Sequence, residues 1–286
     1  MPQVKQPMPH DRETTPVVTF LSDYGLIDEF VGVCHGVIVR RCPSARVIDL
    51  THAIPRHDVR AGAIVLRSAV PFLPAGVHLA IVDPGVSAVG RHARRSVALR
   101  TFEQDRLFVG PDNGLLMPAA ERLGGVIEAV DIGESPERLE PVSRTFHGRD
   151  IFAPVAAALA AGESLESVGE PLAVEQLRRF GLPTAHVSDD GLTVHVLRSD
   201  TFGNLILDAA HEQLTALGAR LGDTLTVSHD GASRTARYAA TFAEVTPGEL
   251  LIYEDATRMV ALAVNRGSAA EMLGAGADDE LVVRPE

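Results

Sequence analysis

Hydrophobic and polar positions follow two different patterns along the chain, and the first pattern occupies the first two-thirds of the chain. There, short apolar runs alternate with stretches whose apolar residues recur at helical spacing. The runs that predict strands are PVVTFLSDYG, ARVIDLTHAI, GVHLAIVDPG, RRSVALRT and DRLFVGPDNGLL. The stretches that predict helices are DEFVGVCHGVIVRRCP, DVRAGAIVLRSAVPFL with Asp58 as its N-cap, and FAPVAAALAAG. This alternation predicts an α/β/α domain, in which a mainly parallel sheet carries helices on both faces.

The second pattern begins near residue 191, where short alternating runs are separated by turn residues. The runs are LTVHVLR, DTLTVSH, RTARYAATF, ELLIYED and MVALAVN, a pattern typical of a small β-barrel or sandwich. Between the two patterns, the segment RRFGLPTAHVSDDG shows no hydrophobic periodicity, which is typical of a linker. We therefore predict a disordered leader over residues 1–16, an α/β domain over 17–177, a linker over 178–191 and a smaller all-β, barrel-like domain over 192–286.

Composition narrows the classes of function. The 286 residues are 45% hydrophobic and 22% charged, as in ordinary globular proteins. A net charge of −12 argues against a nucleic-acid partner, because phosphate binding needs a basic face. No apolar run is long enough to predict a membrane span, and the N-terminus lacks the apolar core of a signal peptide. We therefore expect a cytoplasmic protein without a membrane partner, in which Cys34 and Cys42 are buried free thiols.

Three polar turns follow predicted strands directly. They are SDYG, VDPG and GPDNG, and they bring Asp23 and Asp83 to strand ends. In parallel α/β sheets, ligands bind beyond the carboxyl ends of the strands. A carboxylate at such a position commonly accepts hydrogen bonds from a ribose diol, which makes Asp23 a candidate ligand-binding residue, although either aspartate is also an ordinary turn former.

A more specific signal combines Asp83 with the arginine-rich loop that follows it, GVSAVGRHARR, and with His147 in RTFHGRD. An arginine cannot act as a base, but it fixes a carboxylate and stabilises an anion. A histidine accepts a proton near neutral pH. Together these groups are suited to positioning and deprotonating a water molecule, and Gly148 beside the histidine would allow a ligand to approach the backbone.

One further cluster, DLTHAIPRHD, contains Asp49, His52, His57 and Asp58 and raises the question of a metal site. Its spacing matches neither a helical HExxH motif nor a compact zinc pattern. A turn that shapes one wall of a pocket is the better interpretation, and we expect no metal and no organic cofactor.

Seven motifs, in order, resemble those of the S-adenosyl-L-methionine (SAM) hydrolases, also called SAM hydroxide adenosyltransferases, which are relatives of the fluorinases and chlorinases. They are FLSDYG, DLTHAIPRHDVRAGA, VDPGV, VGPDNGLL, TFHGRDIFAP, DTFGN and ALAVNRGSAAEMLG, and they span roughly residues 17–275. The resemblance implies an N-terminal α/β domain, a barrel-like C-terminal domain and a homotrimer. It also implies that the ligand lies between one subunit's N-terminal domain and the neighbour's C-terminal domain.

The resemblance implies a role for individual residues as well. Asp83 falls where a fluorinase has a tyrosine, and His147 falls on the motif's histidine, so the pattern is that of a hydrolase. Alignment on RRSVAL gives the catalytic arginine as Arg94, with Arg91 and Arg95 as alternatives in a loop about four residues longer than the family pattern.

The remaining motifs imply residues that bind the substrate. Asp23 would bind the ribose hydroxyls, with His57 against the substrate near the sugar, while Gly148 is a substrate-binding candidate on its own conformational grounds. In the second domain, Asp200 and Asn204 would hold the methionine part, and Phe202 and Asn265 would line the adenine pocket.

The implied reaction is hydrolysis of SAM to adenosine and L-methionine, with water attacking C5′ of the ribose. Two alternatives remain at this stage: a protein that binds SAM or adenosine without turnover, and a SAM-dependent halogenase. The longer arginine loop keeps the first open, whereas Asp83 and His147 count against the second.

Overall fold

A computed structural model describes residues 15–88 and 93–286. Most of the predicted leader and the alternative arginine Arg91 therefore lie outside the described residues. The chain divides into two compact units, one ending at Arg178 and the other beginning at Arg179. Within the described ranges, no helix is long and apolar enough to cross a membrane.

The first unit is built on a seven-stranded sheet with the order β2-β1-β3-β5-β4-β6-β7. The pairings β2-β1, β1-β3 and β3-β5 are parallel, whereas β4 runs against both of its neighbours and β7 against β6. Five strands thus run in one direction, so the prediction of a mainly parallel sheet is confirmed. The strands are β1 (Val17–Ser22), β2 (Arg46–Thr51), β3 (Val77–Ile81), β4 (Ser96–Thr101), β5 (Leu107–Pro111), β6 (Val126–Asp131) and β7 (Glu170–Pro171).

Helices cover the sheet on both faces, as the alternation predicts. The helices are α1 (Phe30–Arg41), α2 (Val59–Ala69), α3 (Met117–Arg122), α4 (Ala153–Ala160) and α5 (Leu165–Val168). The helices α1 and α4 pack on each other and share a core with Val18 and Phe20 of β1, while α2 packs against α3 and β1. Because strand side chains alternate, the buried Leu21 lies on the opposite face from Phe20. The Asp58 side chain accepts from the Ala61 amide and caps α2.

The second unit is a closed barrel of seven strands. Their order is β10-β14-β13-β12-β11-β15-β9, and β9 pairs with β10 to close the barrel. The additional strand β8 pairs with the N-terminal end of β9. The strands are β8 (His186–Ser188), β9 (Gly191–Ser199), β10 (Leu205–Ala210), β11 (Thr224–His229), β12 (Ala232–Tyr238), β13 (Leu250–Glu254), β14 (Met259–Val264) and β15 (Glu280–Pro285). Two short helices, α6 (His211–Ala216) and α7 (Ala269–Leu273), pack beside β10 and β14.

Some elements differ from what the sequence pattern predicts. The strands β6, β7, β10 and β15 have no counterpart among the predicted runs, and β8 lies inside the segment 178–191 that the pattern assigns to a linker. Cys34 and Cys42 are free and buried, which confirms the prediction, and burial raises the pKa of Cys34 to about 12. That thiol is therefore a packing residue and not a nucleophile.

Candidate active site

Three neighbouring parallel strands, β1, β3 and β5, end at the same edge of the sheet and deliver the polar turns there. Asp23 follows β1, Asp83 follows β3 after Val82, and Asn113 follows β5. The Asn113 side chain donates to the Val82 carbonyl over 2.8 Å. It thus holds the chain immediately before Asp83 in place.

Asp83 forms a bidentate ion pair with Arg94. The guanidinium Nε donates to Oδ1 over 2.9 Å and to Oδ2 over 3.1 Å, and the Nη2 group donates to Oδ2 as well. Both side chains are buried, with exposed fractions of 6% for Arg94 and 7% for Asp83. A buried pair of this kind is strongly directional, so each group fixes the orientation of the other.

His147 completes the group. Arg94 Nη2 lies 2.9 Å from His147 Nδ1, and because a guanidinium has only donors, the imidazole nitrogen accepts. Burial, and then the neighbouring Arg94 charge, lower the pKa of His147 below its usual 6.5, although Asp83 opposes the shift. The imidazole is therefore neutral at pH 7, with its proton on Nε2.

Two further contacts position Arg94. Its Nη1 group donates to Ser96 Oγ over 2.9 Å, and its guanidinium carbon lies 5.2 Å from the centre of the Phe152 ring. The next residue, Arg95, contacts Asp112 and the Gln176 carbonyl instead. Of the two described candidates, the structure thus brings Arg94 and not Arg95 to Asp83.

Tyr24 lies beside this group, with its hydroxyl against Gly148. A Cβ atom placed on Gly148 would lie 2.1 Å from Tyr24 Oη, so the glycine is required for this approach. Burial, with smaller contributions from Cys34 and Asp83, raises the pKa of Tyr24 well above its usual 10. Tyr24 is therefore a neutral hydroxyl at any physiological pH.

A cavity of about 320 Å³ is lined by Tyr24, Gly148, Asp83 and His147, together with Asp23 and His57. The size is within the range of small-molecule sites. The His57 amide donates to Asp23 Oδ2 over 2.9 Å, and His57 has a left-handed backbone with φ of 67°. This contact orients the Asp23 carboxylate, and no hydrogen bond joins Oδ1 to another of the described residues. A wider cleft of about 840 Å³ is lined by Arg94 and His147 but by neither Asp23 nor Asp83.

In the second unit, Asp200 organises the turn between β9 and β10. Its carboxylate accepts from the Phe202 amide over 2.8 Å, the Asn204 amide over 3.0 Å and the Asn204 side chain over 2.8 Å. Gly203 allows the turn, because its φ is +79° and a Cβ atom there would meet Ser268. The ring of Phe202 is left 77% exposed.

Asn265 directly follows β14 and contacts the loop between β12 and β13. Its side-chain amide donates to the Val245 carbonyl over 2.7 Å and to the Phe242 carbonyl over 3.1 Å. The side-chain oxygen remains available as an acceptor. The turn residues and Asn265 belong to the second unit, whereas the cavity is formed by residues of the first.

The cluster DLTHAIPRHD does not form one site. Asp58 caps α2 and His57 lines the cavity, while Asp49 and His52 lie against His35 of α1. The sequence interpretation of this segment as a pocket wall therefore holds for its Arg56 and His57, which line the cavity.

Sequence reasoning did not single out three residues of the site: Tyr24, Ser96 and Phe152. Tyr24 directly follows Asp23, so its place at a strand end was a usable signal. Ser96 is two residues after Arg94 at the start of β4, where strand alternation puts both side chains on one face. Phe152 gave no signal, because an aromatic residue in an apolar helical run is ordinarily core.

The fold and the site together define a class: a two-unit α/β and barrel protein with a carboxylate, a guanidinium and a neutral imidazole in contact at the end of a central strand. Comparison with known families gives the identification. The chain belongs to the SAM hydroxide adenosyltransferase family, because residues 18–169 match its N-terminal domain and residues 194–282 match its C-terminal domain.

Individual relatives agree with this assignment. The chain is 49% identical to the (R)-S-adenosyl-L-methionine hydrolase of Salinispora tropica, over 94% of this chain and 98% of that protein. It is 30% identical to the fluorinase of Nocardia brasiliensis, over 89% of this chain and 92% of that protein. The crystal structure of an uncharacterized conserved protein from Thermotoga maritima superposes with a TM-score of 0.88 at 35% identity, covering 93% of this chain and 99% of that one.

Proposed function

We propose that this protein hydrolyses SAM to adenosine and L-methionine. The observation that carries the proposal is the Asp83–Arg94–His147 contact at the end of β3, beside the cavity that also contains Asp23. Membership of the SAM hydroxide adenosyltransferase family and 49% identity to a hydrolase support it.

The reaction is a displacement at C5′ of the ribose. Water oxygen forms the new bond to C5′ as the C5′–S bond breaks, and sulfur leaves with the electron pair as a neutral thioether. One water proton stays on the new 5′-hydroxyl and the other is released. Because the leaving group is neutral, no general acid is needed, and no metal or organic cofactor is required. The enzyme must orient the water in line with the C5′–S bond and accept its proton.

The hydrogen bonds of the group favour Asp83 as the residue that holds this water. His147 accepts from Arg94 at Nδ1, so that lone pair is not available to a water molecule. Asp83 accepts from Arg94 as well, but an ionised carboxylate has about four lone-pair positions and retains acceptor capacity. We therefore assign water binding and proton acceptance to Asp83, with Arg94 fixing the carboxylate and His147 fixing Arg94.

The substrate would be bound by residues of both units. Asp23 would accept from the ribose hydroxyls through Oδ1, while His57 and Gly148 lie against the sugar. The acceptor capacity that Asp200 keeps would bind the methionine ammonium, with Asn204 near the carboxylate. Phe202 would cover the adenine ring, and the Asn265 side-chain oxygen would accept from its amino group.

Such a division of binding residues fits a homotrimer in which the neighbouring subunit completes each site, and we propose that assembly. The exposed Phe202 ring supports it, since a large apolar side chain at a substrate turn is otherwise left in water. We further propose that the enzyme acts in the cytoplasm.

Product analysis in ¹⁸O-labelled water tests the reaction. Purified protein incubated with SAM should yield L-methionine and adenosine that carries the label at the 5′ oxygen, as determined by mass spectrometry. Unlabelled adenosine would exclude water as the nucleophile. Intact SAM after prolonged incubation, with SAM bound, would favour the binding role, and a 5′-halogenated product in the presence of chloride would favour the halogenase.

A further inference from the structure

Outside the cavity, three potential metal ligands converge between α1 and the end of β2. His35 Nε2 lies 2.8 Å from Asp49 Oδ1, and His52 Nε2 lies 3.1 Å from the same oxygen. All three ligand atoms lie within 4.8 Å of one another. Both imidazole rings pack on Phe20, at centroid distances of 6.1 Å for His35 and 4.7 Å for His52. The Phe20 ring thus holds both imidazole rings next to the Asp49 carboxylate.

His52 shows that this cluster is more than a surface ion pair. Its side chain is only 2% exposed, yet Nε2 makes no hydrogen bond of acceptable geometry with any residue that the structure describes, despite its distance of 3.1 Å to Asp49. The other ring nitrogen, Nδ1, lies 2.7 Å from Ser22 Oγ. A buried imidazole nitrogen that makes no hydrogen bond is costly, and a bound ion would satisfy it.

We propose that His35, Asp49 and His52 bind a divalent transition metal of the zinc type. Tetrahedral zinc with bonds of about 2.1 Å separates neighbouring ligand atoms by roughly 3.4 Å, slightly more than the two separations to Asp49 observed here. Imidazole nitrogens favour zinc over magnesium or calcium, which prefer oxygen ligands. Three protein ligands leave one position for water, and the partial exposure of His35 and Asp49 gives an ion access to the cluster.

Ser22 orients the buried ligand. In the tautomer that binds metal, His52 donates its Nδ1 proton to Ser22 Oγ and directs the Nε2 lone pair at the ion, as metal-binding histidines commonly do. Metal binding would replace the hydrogen bond between His35 Nε2 and Asp49 Oδ1, so that Nε2 presents its lone pair to the ion. Ser22 also accepts from the Tyr24 amide over 3.3 Å, so the ion would stabilise the strand end that carries Asp23 without taking part in the reaction.

Titration of tag-free, chelator-treated full-length protein with Zn²⁺, followed by calorimetry and without SAM, tests the proposal. We expect saturation at one ion per chain and no competition from Mg²⁺. Co²⁺ should give the visible absorption bands of a tetrahedral site. Loss of a direct ligand in His35→Ala should weaken binding by about 100-fold or more, and Ser22→Ala should weaken it by about 10–100-fold.

The matched control is His186→Ala, which removes an exposed histidine from β8, far along the chain from the cluster. It should bind Zn²⁺ as the wild type does, with circular dichroism showing that every variant is folded. Absence of saturable binding in the wild type, or an unchanged affinity in His35→Ala, would overturn the proposal. Neither result bears on SAM hydrolysis, which is measured independently.

Discussion

At the scale of single residues, the carboxylate of Asp83 is the group on which the proposed chemistry depends. In Asp83→Asn, the amide keeps the shape of the side chain but loses the charge and part of the acceptor capacity. We expect kcat to fall by about 10²–10⁴-fold, the contribution typical of a positioned base. SAM binding, measured by calorimetry, should be retained. A kcat within a few-fold of the wild type would contradict the assignment of proton acceptance to Asp83.

Adjacent arginines provide a matched pair for the role of the guanidinium. Arg94→Lys keeps a positive charge but cannot reproduce the fork that binds Asp83, Ser96 and His147 together. We expect a loss of roughly 10²-fold or more in kcat/KM, comparable to the loss of one preorganised donor. Arg95→Lys changes a residue that is 41% exposed and should leave kcat/KM nearly unchanged. Equal effects of the two substitutions would count against Arg94.

The lowered pKa of His147 makes a prediction about acid pH. Because the shift is downward, the ring stays neutral as the pH falls past 6.5 and gains a proton only below that value. The added proton on Nδ1 would face the Arg94 donor and break their hydrogen bond. The kcat/KM profile should therefore stay flat down to pH 6.5 and fall at lower pH. An acid limb centred at or above pH 6.5 would show that the imidazole is not the group described here.

At the scale of elements, the π-helical turn Gly148–Phe152, which leads into α4, brings the site together. It begins directly after His147 and ends with the Phe152 ring near Arg94, so one turn positions two parts of the group. In Gly148→Ala, the new methyl group would meet Tyr24 Oη at 2.1 Å. We expect a destabilisation of about 1–3 kcal/mol, typical of overpacking, measured by denaturant unfolding.

A compensating change tests whether that contact is the cause. Tyr24→Phe removes the hydroxyl, and the next nearest ring atom would lie 3.1 Å from the added Cβ. The double variant should therefore regain part of the stability that Gly148→Ala loses. As a control, Gly36→Ala on α1 meets no atom of the described residues within 4 Å and should be neutral or stabilising. A double variant no more stable than Gly148→Ala would place the strain elsewhere.

Most elements of the first unit were predictable because local pattern and tertiary environment agree there. The buried strands β1, β3 and β5 are apolar runs that end in turn residues, and the polar turns mark the edge where the site lies. Barrel closure was not predictable in the same way. It depends on the pairing of β9 with β10 and on β15 joining β9 to β11, and register between distant strands is not written in local periodicity.

The site shows the same division. Asp83 and His147 stand in recognisable turns, but the choice between the two described arginines, Arg94 and Arg95, needed the contacts of their side chains. The sequence did not group His35 with Asp49 and His52 for a similar reason. His35 stands in helix α1, 14 residues before Asp49. The parallel pairing of β1 with β2, which sequence spacing does not show, brings Asp49 beside Phe20.

At the scale of the whole molecule, the proposed trimer predicts that two inactive variants regain activity when they assemble together. Asp83→Asn inactivates the first unit of its own chain, and Asp200→Ala removes the carboxylate that orders the turn of the second. If each site takes its first unit from one subunit and its second from a neighbour, some mixed trimers contain an intact site. If both units of a site come from one chain, no mixture contains one.

Random assembly gives the expected size of the effect. After the two variants are co-expressed in equal amounts, or unfolded and refolded together, about one quarter of the sites should combine two unmodified units, whereas each variant alone remains nearly inactive. Activity near a quarter of the wild-type value, in a particle of about three times the 30.5 kDa chain mass by light scattering, is the expected result. A trimer whose mixtures stay inactive would place each site within one chain, and a monomer would remove the shared site altogether.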